Sequence, residues 1–168
     1  MALLQPFLGP IQNGGLCRER IVATEGNPHV PATPLERGCL SIDIPYHPDW
    51  PSCEGVEPAC HLYVEGLRPP LGRRMLGCLE AKSGKRAICE HQVVGSCVQA
   101  VVATTPIRED ARAVCAKLAA HCAEGGKTLD ARDCGRMLSS ISECRILSWA
   151  STCMYSRCEV RGCVDEPW

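Results

Sequence analysis

The sequence has few aromatic side chains and no long apolar run. Only one Phe, three Tyr and three Trp occur in 168 residues, so the core has to be built from aliphatic side chains and half-cystines. No apolar segment approaches the roughly 18 residues that a membrane-spanning helix needs. These shortages exclude a core built on large aromatic rings and a membrane span within this sequence.

The short motifs of common catalytic and metal sites are also missing. The sequence contains no C-x-x-C, H-E-x-x-H or G-x-S-x-G pattern. Their absence removes the usual signatures of zinc knuckles, thioredoxin-type redox centres, zinc proteases and serine hydrolases. The run GGKT at 125–128 lacks the glycine that a phosphate-binding loop requires at position 121, which is His121 here. We therefore predict no catalytic residue, no metal site and no cofactor.

The basic side chains from Arg68 to Arg86 do not have the pattern of a nucleic-acid site. Glu80 interrupts them and no aromatic residue lies among them, whereas single-strand binding uses aromatic rings on which bases stack. The net charge of −1 also argues against a general polyanion binder. We expect no nucleic-acid partner.

Cysteine is the residue type in excess. Fourteen of 168 residues are cysteine, a share typical of disulfide scaffolds, and an even number suits complete pairing. Disulfides persist in oxidising compartments and are rare in the cytosol. All cysteines are therefore disulfide candidates: Cys17, Cys39, Cys53, Cys60, Cys78, Cys89, Cys97, Cys115, Cys122, Cys134, Cys144, Cys153, Cys158 and Cys163. The pairing is not recoverable from the sequence.

The start of the sequence does not resemble an export signal. MALLQPFLGPIQNGGL has no basic segment, and Pro6 and Pro10 interrupt its apolar residues, unlike a secretory signal peptide. Given the cysteine content, we expect the mature form of an exported protein, located in the periplasm, outside the cell or on its surface.

The first 68 residues are predicted to form a proline-rich β region. The many prolines disfavour long helices, and the segments 39–45 and 61–67 alternate apolar and polar residues as half-buried strands do. A weaker strand candidate covers 20–25. Between the two better candidates lies a loop, residues 46–59, that is rich in turn-forming residues.

Residues 69–168 are predicted to form a cysteine-rich helical region. Apolar side chains and cysteines recur at helical spacing in four segments, 70–84, 85–103, 109–123 and a last one that Asp130 caps and that continues toward Cys153. Both regions together predict one compact α+β unit. Because its cysteines lie on apolar stripes, we expect disulfides between helices.

Two short segments of the helical region resemble each other. CEHQVVGSCVQ begins at Cys89 and CEVRGCVDE begins at Cys158, and they share CE, a glycine and CV with a change of length between. So short a similarity does not define a repeat.

The spacing of CLEAKSGKRAICE, CAKLAAHC, LDARDCGRMLSS and CMYSRCEVRGCV resembles that of helical, cysteine-rich exported proteins of myxobacteria-type bacteria. The resemblance covers slightly more than half of the chain. It implies an envelope or secreted location and a disulfide-stapled helical unit, and it implies no activity.

These patterns predict a structural or protein-interaction module with a protein partner, for example an accessory subunit of an envelope or extracellular assembly. Its predicted contact surface is the loop with Tyr46, His47, Asp49 and Trp50, because a loop fixed by cysteines presents a Trp at low entropic cost. Two alternatives stay open. One is a thiol protein that handles copper or zinc. The other is a small secreted hydrolase that uses one of its histidines, at 47, 61 or 91, with a nearby acid.

Overall fold

A computed structural model describes residues 34–45, 53, 55–90 and 92–165. In these residues the chain forms eight α-helices and one 3₁₀ helix. The helices are α1 (Pro34–Leu40), α2 (Val56–Gly66), α3 (Pro69–Glu80), the 3₁₀ helix (Arg86–Cys89), α4 (Val93–Val102), α5 (Glu109–Glu124), α6 (Ala131–Ser140), α7 (Cys144–Arg157) and α8 (Gly162–Asp165). The backbone divides into two compact units. We call 34–101 the N-terminal unit and 102–165 the C-terminal unit.

The predicted α+β class is wrong, because the described residues are helical and none of them belongs to an extended strand. Of the two better strand candidates, 61–67 lies in α2 up to Gly66, while 39–45 covers the end of α1 and an irregular segment. The candidate at 20–25 lies outside the described residues. The physical reason is that the buried residues of this segment follow the helical period. The buried side chains recur three to four residues apart, at Cys60, Tyr63, Val64 and Leu67. The alternation of apolar and polar residues within 61–67 concealed this spacing.

The prolines of the N-terminal unit also have a different role from the predicted one. Pro34 and Pro69 are the first residues of α1 and α3, Pro70 is the second residue of α3, and Pro58 lies in the first turn of α2. N–H groups of a first helical turn have no acceptor within the helix, so a residue without an N–H costs little there. These prolines therefore begin helices instead of preventing them.

The helical predictions after residue 69 agree better with the structure. The segments 70–84 and 109–123 correspond to α3 and α5, whereas 85–103 is divided into the 3₁₀ helix and α4. The last segment is interrupted at Ile141, so that α6 and α7 are separate helices. Side-chain periodicity thus located the helices but missed two of the breaks between them.

In the N-terminal unit, α1, α2 and α3 pack against one another in all three pairs. Gly72 of α3 lies where they meet: a Cβ at this position would be 3.3 Å from Cδ1 of Leu35 in α1 and 3.4 Å from the carbonyl oxygen of Val64 in α2. The segment after α1 is held by the turn after α3, since Gly84 donates its N–H to the Asp43 carbonyl oxygen at 2.9 Å.

In the C-terminal unit, α5, α6 and α7 also pack against one another in all three pairs, and α8 packs on α7. The carboxylate of Asp130 caps α6, accepting hydrogen bonds from the N–H groups of Arg132 and Asp133 at 2.8 and 2.9 Å. This confirms the predicted cap. The cap fixes the residue at which α6 begins.

None of the described helices is suited to span a membrane. The longest, α5, has 16 residues and carries charged side chains such as Arg112 and Lys117 on its exposed face. Within the part of the chain that the structure describes, no helix combines the length and the hydropathy of a membrane span.

Candidate functional site

The feature that dominates the described residues is a set of six disulfides. Their Cα–Cα distances run from 4.7 Å for Cys53–Cys89 to 5.8 Å for Cys39–Cys60, within the range that a disulfide requires. The six pairs are Cys39–Cys60, Cys53–Cys89, Cys78–Cys97, Cys115–Cys134, Cys122–Cys158 and Cys153–Cys163. Cys144 is disulfide-bonded as well, and no described cysteine is free. The prediction of a disulfide-stapled unit is confirmed for these residues, while Cys17 lies outside them.

In the N-terminal unit, two of the three bonds join consecutive α-helices. Cys39 near the end of α1 meets Cys60 in α2, and Cys78 in α3 meets Cys97 in α4. Cys60 belongs to the buried stripe of α2, so the apolar packing of α2 places its sulfur against α1. The same stripes that build the core therefore bring the cysteines together, as the sequence predicted.

In the C-terminal unit, Cys115 of α5 meets Cys134 of α6. Both cysteines are fully buried, and Cys134 lies in the first turn of the helix that Asp130 caps. The bond therefore joins the buried stripe of α5 to the capped first turn of α6.

Burial makes two of the six bonds resistant to thiol reagents. In the pairs Cys39–Cys60 and Cys115–Cys134, each residue is at most 1% exposed. Thiol–disulfide exchange requires a thiolate to reach a sulfur atom, so reduction of these two bonds requires the helices to separate first. Such an arrangement is typical of structural disulfides and unlike the accessible bonds of redox enzymes.

The C-terminal unit contains a polar contact that the sequence did not reveal. The N–H of Arg108 donates to Oγ of Ser139 at 2.9 Å, and the hydroxyls of Ser140 and Thr105 lie 3.1 Å apart in a hydrogen bond. These bonds hold the segment before α5 along α6. The side chains of Ser139, Ser140 and Thr105 are buried, which shows that this interface is structural. Its only sequence signal is a pair of serines on an otherwise apolar helix face.

The histidines that the hydrolase alternative requires are only partly described. His47 and His91 lie outside the described residues, and His61 lies in α2 with its Nε2 4.0 Å from Oε1 of Glu57, one helical turn away. This separation exceeds hydrogen-bond distance, and the Glu57 side chain is half exposed. The pair has the geometry of a surface contact on one helix.

His121, which the sequence did not single out for a function, stacks on Tyr155. The ring centroids are 3.9 Å apart and the planes differ by 6°, so the two aromatic rings link α5 to α7. A stacked pair of this kind adds packing energy between helices. The contact therefore packs α5 against α7.

Metal ligands are not grouped in the described residues. No cluster of three or more His, Cys, Asp or Glu side chains able to hold a metal ion occurs among them. Each described cysteine is in a disulfide, whereas copper(I) and zinc bind the thiolate. The described residues therefore give the metal-handling alternative no support.

The predicted contact residues Tyr46, His47, Asp49 and Trp50 lie outside the described residues, so their role stays a prediction. Cys39–Cys60 closes the stretch of chain that contains them.

No known protein family matches this chain, and neither the curated proteins nor the solved structures contain a significant match to it. The disulfide framework is consequently the basis for any functional proposal.

Proposed function

We propose that this protein is an exported, disulfide-stapled structural or protein-interaction module, of the kind that serves as an accessory subunit in an envelope or extracellular assembly. The observation that carries the proposal is the complete pairing of the described cysteines. Disulfides form and persist in oxidising surroundings and are rare in the cytosol. An envelope or extracellular location satisfies that requirement.

The way the bonds are placed supports a scaffold role. Four of the six join consecutive α-helices, and each disulfide stabilises by limiting the freedom of the unfolded chain. A short helical chain with few aromatic residues gains from them a stability that its modest core would not provide alone. A rigid framework lowers the entropic cost of presenting a surface to a partner.

The sequence supplies the candidate contact surface, the loop with Tyr46, His47, Asp49 and Trp50. Tryptophan is enriched among residues that dominate binding energy. Its location in a stretch closed by the Cys39–Cys60 bond limits the conformations that binding has to order.

The compartment is tested by treating natively purified protein with an alkylating agent under non-reducing conditions and measuring its intact mass, together with copper and zinc content. The proposal predicts no added alkyl group and no bound metal. Several alkylated thiols with stoichiometric metal would instead establish the metal-handling alternative.

The contact surface is tested with Trp50→Ala, using Trp168→Ala as the matched control outside the loop. Chemical crosslinking in the native envelope or secreted fraction should recover the partner with the wild-type protein and with the control, and lose it with Trp50→Ala at an unchanged melting temperature. A large drop in melting temperature for Trp50→Ala would show that Trp50 belongs to a core.

A further inference from the structure

The two units use their cysteines in the same order. In the N-terminal unit the six paired cysteines, numbered 1 to 6 along the chain, are Cys39, Cys53, Cys60, Cys78, Cys89 and Cys97. In the C-terminal unit the six cysteines of the three described pairs are Cys115, Cys122, Cys134, Cys153, Cys158 and Cys163. Both units join 1 to 3, 2 to 5 and 4 to 6. Six cysteines allow fifteen pairings, so a shared pairing is a specific agreement.

The bonded cysteines also occupy corresponding helices. Bond 1–3 joins the first helix to the second, α1 to α2 and α5 to α6. Bond 4–6 joins the third helix to the fourth, α3 to α4 and α7 to α8. In each unit the first three helices contact one another in all pairs. The agreement therefore includes the helix order and the packing of the helices.

Bond 2–5 also joins similar positions along the chain in the two units. Its second cysteine comes after the third helix in both units: Cys89 ends the 3₁₀ helix that follows α3, and Cys158 directly follows α7. Its first cysteine precedes the second helix, as Cys53 before α2 and as Cys122 near the end of α5. The two bonds have the same sequence separation of 36 residues.

The two similar segments of the sequence fall on equivalent positions. CEHQVVGSCV runs from cysteine 5 to the residue after cysteine 6 in the N-terminal unit, and CEVRGCV does so in the C-terminal unit. The sequence similarity and the pairing thus align the same residues. Cys144, at the start of α7, is bonded outside this scheme.

We propose that the chain carries two copies of one helical disulfide module, the N-terminal and the C-terminal unit, and that each copy keeps its helices when the other opens. The proposal goes beyond the interaction role and does not depend on it, because it concerns the folding of the chain with no partner present. It identifies the module, not the whole chain, as the structural unit.

Hydrogen exchange on two full-length variants tests the proposal. Cys39→Ala/Cys60→Ala removes bond 1–3 from the N-terminal unit, and Cys115→Ala/Cys134→Ala removes it from the other. Closing a loop of about 20 residues contributes a factor on the order of 100 to stability. We expect amide protection to fall by this order in α1 and α2 for the first variant, and in the equivalent α5 and α6 for the second. The other unit should exchange as in the wild type.

Exchange that increases in both units of either variant, or that increases in non-equivalent helices of the two variants, would overturn the proposal. If a variant does not accumulate, the wild-type protein gives the answer through exchange at increasing guanidinium concentration. Two modules predict separate unfolding transitions for the amides on either side of residues 102–108. A single transition shared by all helices would contradict them.

Discussion

The N-terminal and C-terminal units reach the same pairing of cysteines by different local means. In the N-terminal unit, 15 residues separate α1 from α2, whereas six residues separate α5 from α6. In the N-terminal unit, Gly72 lets α3 approach α1 and α2 closely. In the C-terminal unit, Asp130 caps α6, and the stacked rings of His121 and Tyr155 link α5 to α7. The same order of pairing therefore occurs with helices and connections of different lengths.

The largest expected effect comes from removing bond 2–5 in either unit, as Cys53→Ala/Cys89→Ala or Cys122→Ala/Cys158→Ala. Both bonds close loops of 36 residues, for which loop-closure entropy gives a loss of about 4 kcal/mol. Guanidinium unfolding with a probe in each unit should show similar losses in the two variants. A loss confined to one of them would break the equivalence of the units.

Truncation of a core leucine in the third helix ranks next. Leu79 of α3 and Leu147 of α7 are fully buried at 0% exposure, and replacing either with alanine removes apolar contacts and leaves a cavity. We expect losses between about 2 and 5 kcal/mol, measured by denaturant unfolding. The matched control is Leu40→Ala, since Leu40 is 60% exposed and its truncation should change stability little.

A smaller difference in stability between the two units is expected at two glycines that have a left-handed backbone conformation. Gly84 follows α3 with φ 68°, and Gly126 follows α5 with φ 72°. Alanine at Gly126 meets no atom within 4 Å, whereas at Gly84 its Cβ would be 3.2 Å from Oδ2 of Asp43. We expect Gly126→Ala to cost about 1 kcal/mol and Gly84→Ala somewhat more. A lower melting temperature for Gly126→Ala than for Gly84→Ala would contradict this expectation.

Gly77, which lies inside α3, provides the control for these two glycine-to-alanine substitutions. A Cβ at Gly77 has no atom within 4 Å, and alanine is a better helix former, so Gly77→Ala should stabilise by up to about 1 kcal/mol.

A loss of similar size to that at Gly126 is expected at the cap of α6. Asp130→Ala removes the acceptor for the N–H groups of Arg132 and Asp133 and should cost about 1 kcal/mol, whereas Asp130→Asn keeps an acceptor oxygen and should cost less. Thermal unfolding of the two variants measures the difference. Equal losses would show that the charge, and not the cap, stabilises α6.

The sequence predicted some parts of this fold well. The stripes of α3 and α5 and the cap at Asp130 were visible because they depend only on neighbours along the chain. The pairing of the described cysteines was predictable from the number and placement of cysteines in the sequence. The partners were not, because pairing depends on how helices distant in sequence pack together.

The N-terminal unit was predicted wrongly because two local signals suggested another structure. The alternation around Val64 resembles a strand over a few residues, and the prolines resemble helix breakers unless the start of each helix is already known. Only the packing of α2 against α1 and α3 determines whether this segment forms a helix or a strand. Helix breaks such as Ile141 were missed because the apolar pattern continues through them.

The most direct test of the disulfide framework is peptide mapping of the native protein, digested without reduction and with free thiols blocked beforehand. The account predicts the pairs 1–3, 2–5 and 4–6 within each unit, that is Cys39–Cys60, Cys53–Cys89, Cys78–Cys97, Cys115–Cys134, Cys122–Cys158 and Cys153–Cys163. A bond between these cysteines of different units, or blocked thiols at any of the twelve, would contradict it.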